Sequence, residues 1–537
     1  MTNAPAGQAS GQGHPKGLYV LFFTEMWERF SYYGMRAILI LFMTKMLAFD
    51  SQFASGVYGN FTALVYLTPL IGGFISDRYW GNRRSIMVGG ILMAIGQFIL
   101  FFCASMIETN MTLAQILFVT GLTGLVIGNG FFKPNISTMV NQLYAPGDKR
   151  VDAAFSIFYM GINLGAFFSP LVCGGLAEKI DYRWGFFAAG VGMVLGLIVF
   201  QMLKNKYIVT ASGEQIGGKP NRNVIPEDTG TVTPHDREGM FAEQNEPVLK
   251  KELKEPRKPE FTTGRILTWA VIYAALWLLF MFVIDFNWIS TLVFATSIAA
   301  SGFIISDPNL NRVERDRIIV IYIAAFFVIF FWSAFEQAGA SLTLFADQQT
   351  DRVLGGWEMP ASWFQSVNPL AIIVFAPLFA MLWTNLGKKG KEPASPVKQA
   401  IGLALLSLGY LIIAMGVQGV SGTTKASMFW LLGMYVLHTF GELCLSPIGL
   451  SMVARLAPVR LASLLMGVWF LANAMANDFA GMLSKLYPEA GQSTYLFGYE
   501  IATLNDFFML FVIFSGVAAI ILFLLSRFML RMMHGLR

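Results

Sequence analysis

The sequence predicts an all-α membrane protein: two bundles of six transmembrane helices with two further transmembrane helices between them, fourteen spans in all. Three observations predict it. Hydrophobic residues make up 55% of the 537 residues and charged residues only 13%, against roughly 25% charged in a soluble globular protein. The mean hydropathy is +0.57, so lipid is the solvent for most of the surface. Apolar runs near the ~20 residues that a helix needs to cross a bilayer recur along the chain. One polar stretch divides them, six before it and eight after.

The runs lie near 18–47, 54–76, 85–106, 112–143, 151–174, 184–203, 264–284, 287–305, 318–346, 362–386, 399–417, 427–454, 461–484 and 506–532. Several approach 30 residues, which implies tilt or extension beyond the bilayer. Residues 1–16 are polar and rich in Gly and Ala, and read as a disordered N-terminus. The first run carries Glu25, Glu28 and Arg29, unlike the short uncharged core of a cleavable signal peptide. Residues 17–204 then form the first six-helix bundle. Residues 205–262 read as a solvated cytoplasmic linker, in which Gly, Pro, Glu and Lys prevail and no core can form. Residues 263–306 are the extra pair, with few polar groups in their interiors, and 315–533 the second bundle.

Loop charge sets the orientation. One side collects Arg78, Arg83, Arg84, Lys149, Arg150, Arg312, Arg315, Arg317, Lys388, Lys389, Lys391, Lys398, Arg455, Arg460, Arg527, Arg531 and Arg537. The other has only Lys45, Lys179, Arg183, Arg352, Lys425 and Lys485. The positive-inside rule puts both termini in the cytoplasm, as a multi-pass protein of the inner membrane would have them. Cys103, Cys173 and Cys444 all sit in apolar runs without metal-ligand spacing, and read as buried thiols.

Charges within the runs carry the functional signal, because a charge at the bilayer centre costs roughly 2.5–3.5 kcal/mol or more. Seven stand out: Glu25, Glu28, Arg29 and Arg36 on the first helix, Lys133 on the fourth, Glu336 on the first helix of the second bundle and Glu442 on its fourth. Positions 25, 28/29, 32 and 36 follow helical spacing, so with Tyr32 they form one polar stripe. Such a stripe faces a water-filled cavity or another bundle. The bland reading is an ion network that locks the bundles together. Four acids against three bases, however, leave one carboxylate without a partner, and a buried unpaired carboxylate relieves its cost by taking up a proton. Gly128-Asn129-Gly130 and Pro134 around Lys133 permit close backbone approach and local distortion. A second polar layer comprises Tyr32, Tyr33, Tyr66, Tyr159, Asn163, Trp332, Asn368, Ser446, Trp469 and Asn473. An aromatic cavity with opposite charges at its ends suits a zwitterion. Each aromatic taken alone reads as lipid-facing packing or interface anchoring, whereas amides such as Asn163 and Asn368 in apolar helices need partners.

Gly73-Phe74-Ile75-Ser76-Asp77-Arg78-Tyr79-Trp80-Gly81-Asn82-Arg83-Arg84, between the second and third runs, resembles the cytoplasmic loop motif of the major facilitator superfamily, in which an acid and basic residues brace neighbouring helices. More specific are Glu25-Met26-Trp27-Glu28-Arg29-Phe30-Ser31-Tyr32-Tyr33-Gly34 and Phe158-Tyr159-Met160-Gly161-Ile162-Asn163-Leu164-Gly165. They resemble the first- and fifth-helix signatures of the proton-dependent oligopeptide transporter (POT/PTR) family. Glu336-Gln337, Asn368-Pro369, Gly441-Glu442-Leu443-Cys444-Leu445-Ser446-Pro447 and Trp469-Phe470 match further positions, and the extra helix pair looks like prokaryotic members.

The resemblance implies a proton-coupled symporter that imports di- and tripeptides by alternating access. It needs no cofactor beyond the proton gradient, has no catalytic or metal-binding residues, and functions as a monomer in the bilayer without nucleic acid. Arg36 and Lys133 would attract the peptide carboxylate and Glu442 its amino group, with Asn163 and Asn368 contacting the backbone. Tyr32, Tyr33, Tyr66 and Trp469 would shape side-chain pockets, with Trp332 and Ser446 also in the binding layer. Arg36 and Glu336 would form a periplasmic-side gate that protonation of Glu336 loosens. Glu25, Glu28 and Arg29, near Lys133, would couple proton and substrate. Two departures matter. Gly165-Ala166 stands where the family usually has Gly-Ser, read as a packing detail. Mammalian relatives use a second-helix histidine in proton coupling, where this chain reads Tyr58-Gly59-Asn60-Phe61. Coupling here is therefore expected to rest on carboxylates, with His438, one turn from Glu442, a hydrogen-bonded packing residue. The rival readings are transport of another small anion on the same fold, a membrane peptide receptor that does not transport, and a membrane enzyme. Against the last two, no signalling domain, nucleophile–base pair or phosphate-binding loop stands out.

Overall fold

A computed structural model describes residues 13–145, 148, 150–210, 213–219, 262–420, 424–488, 493–496 and 498–536. Lys149, Arg537 and most of the two segments expected to be disordered, 1–12 and 220–261, lie outside the described residues. Among the described residues are fourteen long helices: α1 (Lys16–Lys45), α2 (Ser51–Ile75), α3 (Asn82–Met106), α4 (Met111–Gln142), α5 (Val151–Ser169), α6 (Tyr182–Tyr207), α7 (Thr263–Leu278), α8 (Trp288–Ile305), α9 (Arg312–Phe335), α10 (Val367–Lys388), α11 (Ser395–Gly416), α12 (Met428–Leu456), α13 (Ala462–Ser484) and α14 (Leu504–Met532). Several run on through tighter or wider turns. α5 continues through a π-helical turn, Pro170–Gly174, to Lys179, and α9 continues through a 3₁₀ turn, Glu336–Gly339, to Gln348. A 3₁₀ turn, Ala361–Ser366, leads into α10. Short two-stranded pairs occur in the loops, such as Thr350–Asp351 against Ala426–Ser427.

Polar residues mark where helices begin. The side chains of Asp50, Asn110, Asp181 and Asn287 accept hydrogen bonds from backbone N–H groups in the first turns of α2, α4, α6 and α8. Asn311 and Thr503 form complete capping boxes on α9 and α14, satisfying donors that a helix cannot bond internally. Twelve of the helices are long and apolar enough to cross a membrane. The two that are not are α1, which carries Glu25, Glu28, Arg29 and Arg36 between a lysine at each end, and α13, which carries Asn473, Asn477 and Asp478. Both are sheltered instead by neighbouring helices, with Glu25, Glu28, Arg29, Asn477 and Asp478 all buried.

An even number of spans returns the chain to its starting side, the terminus face; the opposite side is the far face. In the first bundle α3 lies on α4 and α6, and α1 on α5 and α6. In the second α11 lies on α12 and α14, and α9 on α13 and α14. The bundles meet where α2 packs on α13 and where α5 packs on α10. At the first contact a Cβ built on Gly59 would lie 2.6 Å from the Gly481 Cα, so the two backbones touch, as small residues allow in membrane helices. The bonds that join α1 and α5 to the second bundle gather toward the far face. Lys45 Nζ donates to Asp347 at 2.6 Å, Ser366 Oγ to the Phe167 carbonyl at 2.8 Å, and Gln365 to the Ala37 carbonyl at 3.3 Å. The N-terminal half of α5 and the C-terminal half of α10 are largely exposed. The bundles are thus closed at the far face and parted toward the terminus face.

The extra helices are unequal. α8 lies against both α13 and α2, and Asn287 Nδ2 reaches Asn60 Oδ1 at 3.3 Å. α7 packs chiefly on α8 and has no buried residue.

One expectation needs correction. The stretch from 205 is not solvated linker throughout. Residues to Tyr207 complete α6, and the chain then folds back, with Val209 bridging Gln215. The Arg83 guanidinium holds this turn, donating to the carbonyls of Lys204, Ile208 and Ile216 and to the side chains of Asn205 and Gln215. Five N–H donors in a fixed fork find enough oxygens there to hold a mostly polar segment, whose Ile208 and Ile216 are also buried against the core. Gly81 permits the contact: it has φ 75°, and a Cβ there would lie 2.2 Å from the Gly218 carbonyl oxygen. Asp77, the motif's acid, is exposed. The expected disordered N-terminus is likewise docked at its last residues, where His14 Nδ1 lies 2.8 Å from the Tyr144 hydroxyl.

The backbone contact at Gly481 makes a direct test. Gly481→Val should lower the apparent melting midpoint in detergent, by an amount equivalent to about 1–3 kcal/mol of overpacking. Gly433→Ala, where an added Cβ meets only Ile412 at 3.9 Å, should leave it unchanged.

Candidate functional site

A cavity of about 340 Å³ lies between the bundles. The first bundle lines it with Tyr33 and Arg36 from α1, Tyr66 from α2, Lys133 from α4, and Tyr159, Asn163 and Ala166 from α5. The second contributes Trp332 from α9 and Glu336 from the 3₁₀ turn after it, Gln365 from the turn before α10 and Asn368 from its start, and Tyr435, His438, Glu442 and Ser446 from α12. Ligand sites are typically 300–1,000 Å³, so this one suits a small molecule.

The seven intramembrane charges resolve into separate groups. On α1, Arg29 Nε lies 2.7 Å from Glu25 Oε1 and 3.0 Å from Glu28 Oε2. Asn129 of α4 donates to the other Glu28 oxygen at 3.1 Å. This triad is buried and does not line the cavity. It sits behind Lys133, within electrostatic reach of it. Arg36 pairs with Glu336 across the bundles and also donates through Nε to the Tyr58 hydroxyl, so its guanidinium is committed on two edges. Tyr58 occupies the region where mammalian relatives place a histidine.

Two charges are left. Lys133 Nζ stands 4.2 Å above the Tyr66 ring centroid, a cation–π contact worth about 2 kcal/mol when desolvated. Glu442 accepts a hydrogen bond from Asn368 Nδ2 at 2.8 Å, and that same amide reaches Thr439 Oγ1 at 3.1 Å. Among the described residues neither Lys133 nor Glu442 has an oppositely charged group within 4.0 Å. They belong to different bundles and both open into the cavity. The site therefore offers one cation and one anion, each supported by a polar neighbour and neither neutralised.

Of the residues expected to bind solute, Arg36, Tyr33, Tyr66, Lys133, Asn163, Trp332, Asn368, Glu442 and Ser446 line the cavity. Tyr32 and Trp469 do not. Tyr32 is buried against Phe61 and Tyr33. Trp469 packs over Gly449, where an added Cβ would lie 2.4 Å from its ring. Both support the wall from behind. Asn163 donates to its own helix at the Tyr159 carbonyl, 2.9 Å away, which leaves its carbonyl oxygen available to the cavity. The Ala166 departure is more than packing, because Ala166 lines the cavity, so the missing hydroxyl is missing from its wall. His438 bonds the Leu406 backbone and also lines the cavity.

Sequence reasoning missed Tyr58, Gln365 and Tyr435, since a tyrosine or glutamine in an apolar run gives no sign of which face it shares. It also missed an eighth charge, Asp478 on α13. Asp478 is buried beside the α2 contact and hydrogen-bonded by Ser290 of α8, with Oδ2 left unpartnered. The run of charge-free residues on either side of it was the signal that could have found it.

Comparison with known proteins agrees with this geometry. A family model described as the POT family matches residues 83–254 and 265–499. A peptide transporter from Yersinia enterocolitica, YePEPT, is 36% identical over 90% of this chain and 89% of its own. An uncharacterised transporter of Bacillus subtilis, YclF, is 34% identical over 90% of each chain. Among solved structures, a peptide transporter POT in complex with sulfate shares the fold with a TM-score of 0.75 at 32% identity, over 98% of each chain. With its fold, its paired helix-1 charges and these matches in view, the chain belongs to the POT family of transporters, a multi-pass membrane protein on the major facilitator plan.

Proposed function

We propose that this chain is a proton-coupled symporter that imports di- and tripeptides by alternating access. One observation carries the reading: Lys133 and Glu442 face one cavity from opposite bundles, each without an ionic partner. A peptide zwitterion presents the complementary pair. Its carboxylate pairs with Lys133 and its amino group with Glu442, so binding offsets the cost of holding both charges in the membrane. An extended chain gains about 3.3–3.6 Å per residue, and a cavity of about 340 Å³ therefore favours two or three residues. The name of the Yersinia enterocolitica relative supports the same substrate class.

The terminus face is the cytoplasmic side by loop charge, and the inner membrane is the location. Arg36 and Glu336 close the periplasmic side. A proton on Glu336 removes the charge that holds Arg36, which loosens the gate and frees the guanidinium for the peptide carboxylate. The Glu25–Glu28–Arg29 triad holds two acids to one base, and Lys133 stands next to it. A proton entering the triad changes the field at Lys133 and so couples proton to peptide. The protein acts as a single chain, makes and breaks no covalent bond, and needs no cofactor beyond the proton gradient.

Three measurements check this reading. Proteoliposomes should accumulate a dipeptide when an inward proton gradient is imposed and only equilibrate it otherwise; equal uptake in both conditions removes proton coupling. Glu336→Gln should abolish gradient-driven accumulation while retaining peptide counterflow, and full accumulation by that variant sinks the gate assignment. Tyr58→Phe strips Arg36 Nε of its acceptor and should lower the melting midpoint by the equivalent of about 1–3 kcal/mol. Combined with Glu336→Gln the two losses should not add, because both act on one guanidinium.

A further inference from the structure

On the alternating-access reading, we propose that Glu178 forms a second far-face lock, distinct from the Arg36–Glu336 pair, and positions α10. Glu178 stands near the far-face end of the α5 extension, in the first bundle. Its carboxylate crosses to the second bundle. There Oε2 accepts from the Ala361 N–H at 2.7 Å and Oε1 from the Ser362 N–H at 2.9 Å. Those two groups open the continuous helical segment Ala361–Lys388, whose first N–H groups have no partner within the helix. A carboxylate bonding both gains two charge-assisted hydrogen bonds and a favourable helix dipole.

Neighbouring groups hold the contact in place. Arg352 Nη1 lies 3.9 Å from Glu178 Oε2, and its Nη2 is fixed by Glu358 at 2.9 Å and Asp347 at 3.4 Å. The Glu178 side chain is only 8% exposed. One turn earlier, a Cβ on Gly174 would lie 1.9 Å from Ser362 Oγ, so the α5 backbone presses on the same point that Glu178 grips.

The grip bears on the binding site. Asn368 lies less than two turns beyond Ser362 on the same helical segment, and it carries the hydrogen bond to Glu442. Fixing the N–H groups of residues 361 and 362 fixes the height of Asn368 against Glu442. Opening the far face parts α5 from α10 and strips both donors of their acceptor. Protonating Glu336 releases one lock and leaves the Glu178 lock in place. Glu178 thereby biases the resting protein toward the conformation open at the terminus face.

Cysteine accessibility in the full-length protein tests this. Ala338→Cys places a thiol in the cavity wall, and the native Cys103, Cys173 and Cys444 are buried. In right-side-out vesicles, adding Glu178→Gln should speed labelling by an impermeant maleimide about tenfold, the change that about 1.4 kcal/mol makes in an equilibrium. In inside-out vesicles the same variant should label more slowly, whereas general loosening of the fold would speed both. Unchanged labelling from the far side, or faster labelling from both sides, overturns the proposal. Glu178→Asp keeps the charge and shortens the reach, so it covers failure of the glutamine variant to assemble. It too should speed far-side labelling, and no change overturns the lock. Labelling reports access and not transport. Failure to take up any peptide, with the labelling shift intact, counts against the peptide reading and leaves the lock standing.

Discussion

The structure depends on one constraint: charge placed in lipid must be matched or made useful. The first helix alone brings two carboxylates and two guanidinium groups into the membrane. Arg29 answers Glu25 and Glu28, with Asn129 reaching in from α4. Arg36 answers Glu336 from the other bundle, and Tyr58 takes its remaining edge. Once these are settled, Lys133 and Glu442 are left facing the cavity, and the fold spares them only an aromatic ring and an amide. The matched charges hold the structure together. The unmatched ones face the cavity, where the proposed function has them select what enters.

The two bundle contacts differ in kind, and the difference suits a rocking motion. At α2 and α13 the backbones touch at Gly59 and Gly481, flanked by the Ser55–Ser484 hydrogen bond and by apolar side chains such as Leu67 and Leu471. Toward the far face the contact is made of directional bonds: Arg36 to Glu336, Lys45 to Asp347, Ser366 to Phe167 and Glu178 to the start of α10. Bonds of that type can be broken and re-formed as units. The cavity lies between these contacts and opens toward the terminus face. α8 straddles the glycine contact, touching Asn60 on one bundle and Asp478 on the other, and α7 packs chiefly on α8.

Much of this was legible in the sequence, for physical reasons. Lipid forces long apolar runs, so fourteen helices could be counted, and an intramembrane charge is costly enough to stand out, which brought out Arg36, Lys133, Glu336 and Glu442. What composition conceals is facing. Tyr32 and Trp469 are chemically suited to a cavity, yet they pack behind its wall. Ala166 carries no polar signal, yet it forms part of that wall. The fold-back after α6 was hidden because its order comes from one distant arginine, Arg83, and from only two buried apolar side chains among its described residues, Ile208 and Ile216. Asp478 escaped notice because a single carboxylate among alanines and asparagines does not form a stripe.

The glycine contact between α2 and α13 has a mechanical meaning. A joint packed with interlocking side chains resists turning, because each knob must climb out of its hole before the next position is reached. At Gly59 and Gly481 the two backbones touch with no side chain between them, so only the flanking contacts, such as Ser55 to Ser484, must slide. The joint then acts as a plain bearing: it fixes the axis of rotation and adds little friction. The energy that decides between the two orientations is held in the ionic and hydrogen-bonded contacts, one of which, Arg36 to Glu336 and Tyr58, lies directly beside the joint, and another, Glu178 to the start of α10, on a separate pair of helices.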